Sequence, residues 1–178
     1  MSQTAKRKSQ LWYLDYITAI TMFTVILIIA FRYITNDYLM EGKNTDQIFS
    51  EAGKFSESLL TPGIPLNWSP ENVVYVGICN DNVINSTKLD MLKNMTRDNY
   101  QHTRYILGQT SDFLIYFENQ TGDIINLTNQ AYIGKPGVTL SDVVASNPKN
   151  LITVTRYLVY KYNTTAQIVA MKLIAWKD

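Results

Sequence analysis

The chain has 178 residues, 46% of them hydrophobic, and a formal net charge of +1. This balance is too apolar for a disordered chain and lacks the basic excess that a nucleic-acid binder needs to neutralise phosphates, so no nucleic-acid partner is expected. A single cysteine, Cys79, and a single histidine, His102, leave no internal disulfide and no metal-ligand spacing.

Met1 to Gln10 is a short basic leader carrying Lys6, Arg7 and Lys8. It precedes an apolar stretch over 11–33 in which no charge falls between Tyr16 and Phe31. Counted from Leu11, this run of about 21 residues suffices to cross roughly 30 Å of hydrocarbon. It predicts a membrane-spanning helix, with membrane lipid as its first partner. Trp12, Tyr13 and Tyr16 lie near one end and Phe31, Tyr33 and Tyr38 near the other, where amphipathic rings favour the two interfaces. Lys6, Arg7 and Lys8 come before the helix, and beyond Arg32 the next charges are Asp37 and Glu41. The positive-inside bias therefore puts the N-terminus in the cytoplasm and the rest of the chain outside. A secretory signal is the competing reading, but the run is longer than a usual h-region and no small-x-small cleavage pattern follows it.

Asp15 stands within this stretch. An acid at the centre of a spanning helix costs about 2.5–3.5 kcal/mol, which marks intramembrane carboxylates as functional candidates. A position one turn from the basic flank also fits headgroup depth, eased by the helix dipole, and both readings stand.

Lys6, Arg7, Lys8, Ser9 and Gln10, followed by Asp15 in an apolar helix, resemble the class III signal segment of archaeal type IV pilins and pilin-like proteins. The resemblance implies cleavage before Gln10 by a membrane peptidase. It also implies that Asp15 meets the amine terminus of a neighbouring subunit, so that Lys8, Ser9, Gln10 and Asp15 form a processing and assembly segment. The family places this acid fifth in the mature chain and Gly or Ala before the cut, whereas here Asp15 is sixth and Ser9 precedes the cut. The implied partners are other pilin-like subunits, met through the N-terminal helix.

Residues 34–45 read as a linker, because Gly42, Lys43, Asn44 and Thr45 form a polar turn that should interrupt the helix. The remaining 46–178 forms one extracellular α+β domain, expected as a mostly antiparallel sheet packed by one or two helices. Its first helix starts at a Thr45 cap and places Ile48, Ala52, Phe55 and Leu59 on one face. Pro62, Gly63 and Pro65 end it. The segment from Phe55 to Ile78, with the later INSTKL and SDFLIYFE, resembles domains of archaeal pilin-like membrane proteins of unknown activity.

Val73 to Ile78 reads as a strand covered on both faces. Asn85 or Ser86 caps the next helix, which bends near Arg97 to Asn99 and stops at Gly108. Phe113 to Phe117 is a second strand, and strand, helix, strand in this order implies a right-handed crossover, the two strands parallel neighbours or one apart. Asn119 to Asp123 turns into Ile124, Ile125 and Leu127, and Gly134, Pro136, Gly137, Asn147 and Pro148 belong to loops.

A hairpin closes the chain, Leu151 to Tyr162 and Ala166 to Trp176, turned at Asn163, Thr164 and Thr165. Its last strand is apolar on both faces, read either as helix cover on one side with exposed aliphatics on the other, or as packing against a neighbouring subunit. Arg156 interrupts an apolar face, either as a buried partner of a carboxylate or ligand or as a rim residue with its head in water.

Six N-x-S/T triplets, at Asn67, Asn85, Asn94, Asn119, Asn126 and Asn163, all lie beyond the apolar segment. Their placement fits an external domain and marks glycosylation candidates. Asn67 is the weakest, since Pro70 follows its triplet, and Asn119 and Asn163 lie in expected turns. The acids Asp81, Asp90, Asp112, Glu118, Asp123 and Asp142 show no paired spacing, and no nucleophile elbow or HExxH is present, so no catalytic residue, cofactor or metal is assigned. The function expected is a non-enzymatic, single-pass, pilin-like surface protein. The rival is an anchored binding or sensor domain for which the helix is only a tether.

Overall fold

The computed structural model describes the backbone of residues 3–162 and 165–177, and the side chains of 13–34, 45–162 and 165–177. The chain divides into two compact units, Met1–Lys43 and Asn44–Asp178, and is α+β with an apolar N-terminal helix and a curled, mostly antiparallel sheet.

Helix α1 runs over Gln3–Leu59. The backbone stays helical through Gly42 to Thr45, against the predicted break. A single glycine costs a helix only about 1 kcal/mol relative to alanine, and neither Lys43 nor Asn44 removes a backbone donor. Within Asn44–Asp178 the predicted stripe is the one buried: Ile48, Ala52, Phe55 and Leu59 recur three or four residues apart and enter the main core.

The sheet order is β1-β2-β6-β7-β3-β4, with β5 also paired to β3. Its strands are β1 (Cys79–Asn80), β2 (Val83–Ile84), β3 (Asp112–Glu118), β4 (Ile124–Ile125), β5 (Ile133–Gly134), β6 (Asn150–Tyr162) and β7 (Thr165–Lys177). The predicted hairpin is the centre of the sheet, since β6 pairs antiparallel with β7 from Asn150↔Lys177 to Tyr162↔Thr165, and β7 pairs in turn with β3. The expected crossover between neighbouring or once-removed strands is not formed: Val73 to Ile78 is no strand, and two strands separate β2 from β3. From β2, the chain passes through α2 (Ser86–Asp98) and α3 (Tyr100–Ile106) to β3. The pairings make β3 parallel to β2, but β6 and β7 lie between them. Two long strands, apolar where they face the core, outcompete the two-residue β2 for the place beside β3.

Val73 to Ile78 is not the predicted two-faced strand: Val76 and Ile78 are buried, but Val74 and Tyr75 are exposed. Its backbone is spent on the loop after α1, with Ile64 N–H on Tyr75 O at 2.8 Å, Val74 N–H on Ile64 O at 2.9 Å and Ile78 N–H on Leu59 O at 3.0 Å. Gly77 is required here, because a Cβ would lie 2.2 Å from Thr61 O and 2.4 Å from Gly63 N. Trp68 locks the strap by donating its indole N–H to Gly77 O at 2.9 Å.

The helix caps follow local chemistry. Asn85 Oδ1 accepts from Lys88 N–H at the start of α2, and Asn99 separates α2 from α3, where the bend was expected. Helix α4 (Leu140–Ser146), absent from the sequence reading, opens with a capping box in which Thr139 and Asp142 each accept from the other's backbone N–H. Hydrogen bonds from Thr139 hold the Asp142 carboxyl below the usual carboxylate range. Val143 of α4 covers Leu114, Tyr116, Ile174 and Trp176, so one part of the outer sheet face has its helix. The other part stays open, with Tyr157 and Ile168 exposed at 74% and 53%. Arg156 is a rim residue, its Nε donating to Ser56 Oγ at 3.2 Å and its guanidinium 3.9 Å from Glu57.

Candidate functional site

Over Tyr13–Ile34, α1 is long and apolar enough to span a membrane, and none of these 22 residues is buried within the structure. At 1.5 Å per residue they reach about 33 Å. The polar side chains here suit apolar surroundings. Thr18, Thr21 and Thr24 donate to the carbonyls of Leu14, Ile17 and Ile20, each at 2.8 Å, so none of the three threonine hydroxyls needs water. Asp15 differs: it is exposed and has no hydrogen-bond partner among the described residues. The backbone of Lys8, Ser9 and Gln10 is helical, and their side chains lie outside the described residues.

In the Asn44–Asp178 unit, charge converges on Asp112 at the start of β3. Arg104 Nη1 and the Tyr100 hydroxyl reach its Oδ1 at 2.9 and 3.1 Å, and Lys135 Nζ reaches Oδ2 at 2.5 Å. The Tyr100 oxygen also accepts the Phe113 N–H at 3.0 Å. Burial raises the Tyr100 hydroxyl well above its ordinary range, opposed by that backbone bond and reinforced by the Asp112 charge. The Tyr100 hydroxyl, the Arg104 guanidinium and the Lys135 ammonium close the Asp112 carboxylate into a tie between α3, β3 and the loop after β5. Lys135 is committed to Asp112, and Gly134 lets β5 approach, since a Cβ there would lie 2.2 Å from Phe113 O. Cys79 is buried in the core, its thiol pushed up to about 11 by desolvation. It behaves as a small hydrophobe. Among the described residues no group of three or more His, Cys, Asp or Glu side chains is placed to hold a metal.

An open groove of about 660 Å³ lies between the 62–68 loop and the N-terminal end of α2. Leu66, Trp68, Asn80, Asp81, Thr87 and Met91 contribute to its walls, and Lys88 is anchored beside it by donating to Pro62 O at 2.6 Å. Two triplet asparagines, Asn67 and Asn85, border this groove, which forms between segments about 20 residues apart and leaves no local spacing to read.

The other triplets are scattered. Asn94 is inside α2, and its Thr96 is buried, donating to Lys93 O. Asn119 folds its own turn: Oδ1 accepts from Thr121 and from Asp123 N–H, and Nδ2 donates to Asp123 Oδ2 at 3.2 Å. Asn126 is exposed but Thr128 is buried, its hydroxyl without a partner. Asn163 lies outside the described residues. Compared with known proteins, the chain matches no family model, no curated protein and no solved structure.

Proposed function

We propose that this is a non-enzymatic, single-pass surface protein, a pilin-like or minor-pilin-like component of a cell-surface filament or membrane assembly. The observation that carries the reading is the helix over Tyr13–Ile34, apolar over 22 residues and not buried against any of the described residues. In water such a surface exposes apolar area at about 25 cal/mol per Å², whereas lipid or another helix removes that cost. The basic leader orients the helix with its N-terminus in the cytoplasm and the Asn44–Asp178 unit outside. Asp15, without a hydrogen-bond partner among the described residues, takes a cationic partner from a neighbouring subunit, a freed amine terminus in the pilin-like scheme.

The second reading, an anchored binding or sensor domain, draws on the groove beside α2. Intact-mass measurement of protein extracted from membranes separates the two. Loss of residues 1–9 and sedimentation as filaments support the assembly reading, and an intact leader on a monomer supports the tether. In the assembly reading Asp15→Ala reduces filament yield at unchanged membrane content. Unchanged yield removes the pairing role.

A further inference from the structure

We infer that, among the described triplets, Asn85 is the one that carries an N-linked glycan after folding, and that the glycan lies along the groove between the 62–68 loop and α2. This rests on the reading that the Asn44–Asp178 unit faces outside. An N-linked acceptor must offer an accessible amide nitrogen and, two residues on, an accessible hydroxyl. Asn85 uses only its oxygen to cap α2, accepting from Lys88 N–H at 3.2 Å. Its Nδ2 has no partner among the described residues, and Ser86 and Thr87 are both exposed. No other described triplet keeps both groups free. Ser69 of the Asn67 triplet turns its hydroxyl to Glu71, Thr96 and Thr128 are buried, and Asn119 Nδ2 and the Thr121 hydroxyl are bound to Asp123.

The transfer retains the cap. Asn85 Nδ2 attacks the anomeric carbon of a sugar carried on a polyprenyl phosphate, and the bond from that carbon to the phosphate oxygen breaks. The lipid phosphate leaves, one amide proton passes to a base of the transferase, and no electrons are gained or lost. Oδ1 remains an acceptor, so α2 keeps its N-terminal bond. The attached sugar then meets a groove suited to it: Asn80, Asp81 and Thr87 offer donors and acceptors for hydroxyls, and Leu66 and Met91 offer apolar surface for C–H faces. Its volume of about 660 Å³ falls within the roughly 300–1,000 Å³ of ligand-binding pockets.

The test is peptide mass spectrometry of full-length protein extracted from cells that glycosylate surface proteins. Three variants are compared: Asn85→Asp, which keeps the cap, Thr87→Ala, which leaves Asn85 intact, and Thr87→Ser, which keeps the triplet. A sugar mass on the Asn85 peptide, lost in the first two and retained in the third, is expected. Backbone amides over 80–88 should exchange several-fold more slowly in the glycosylated protein than in Thr87→Ala. An unmodified Asn85, or glycan on Asn94 or Asn126 instead, overturns the site, and equal exchange overturns the groove. Protease added to intact cells separates the two levels: a digested domain with an unmodified Asn85 sinks the glycan alone, whereas a protected domain sinks the external placement with it.

Discussion

Two stretches of one helix, Tyr13–Ile34 and 45–59, answer to different solvents. In the second, apolar residues form a stripe, and Ile48, Ala52, Phe55 and Leu59 vanish into the core, leaving Asp46, Lys54 and Glu57 exposed. In the first, apolar residues point in every direction and all of them are exposed, including Phe23, Ile26 and Ile29 at about two-thirds of their area. A one-sided stripe is the pattern of a helix that lies on a core, and an all-round one is the pattern of a helix that lies in lipid or among other helices. The difference resides in periodicity rather than in total hydrophobicity, and it divides substitutions into two kinds.

Phe55→Ala should produce the largest effect on the packed stretch, because Phe55 meets the Phe113 ring edge-on at 5.0 Å. Loss of this ring is expected to cost about 3–5 kcal/mol in denaturant unfolding followed by tryptophan fluorescence, with the protein still in the membrane fraction. Ile26→Asp should do the reverse. The insertion penalty of about 2.5–3.5 kcal/mol depletes the membrane fraction, while the unfolding midpoint of the other unit stays unchanged. If either substitution moved both readouts equally, the two stretches would not be distinct.

Asp112→Asn comes next. It leaves Arg104 and Lys135 without their carboxylate, and about 1–3 kcal/mol of stability should be lost at neutral pH. The neighbouring Tyr100 supplies a pH signature. Its hydroxyl titrates above the unfolded value, so its contribution is complete below about pH 10 and is lost as the pH rises beyond that. The alkaline decline in melting temperature should be shallower in Tyr100→Phe. The smallest effect concerns Cys79: fully buried, and with its thiol raised to about 11, it should be alkylated at neutral pH only through unfolding.

Much of this fold was legible wherever a period repeats. The all-round apolar segment, the Ile48 to Leu59 stripe, the break at Asn99 and the long terminal hairpin each follow from local spacing. What escaped the sequence depended on partners distant in the chain. Val73 to Ile78 has the composition of a strand but gives its hydrogen bonds to the loop after α1, where Gly77 permits a contact that no side chain would. Helix α4 did leave a signal, Thr139 followed three residues later by Asp142, which was masked by its short length and by Asn147 and Pro148 behind it. For the glycan candidates, triplets identify which asparagines qualify in principle. Only folding reveals that Thr96 and Thr128 are buried and that Asn85 retains a free amide nitrogen beside a groove.

The most direct test of the central claim is digestion of intact cells with a protease that cannot cross the membrane, followed by detection of both ends of the chain. The account predicts that the Asn44–Asp178 unit is lost while a fragment containing Tyr13–Ile34 stays protected in the membrane pellet. A chain that is fully protected, or that is released in soluble form when the cells are broken, would contradict it.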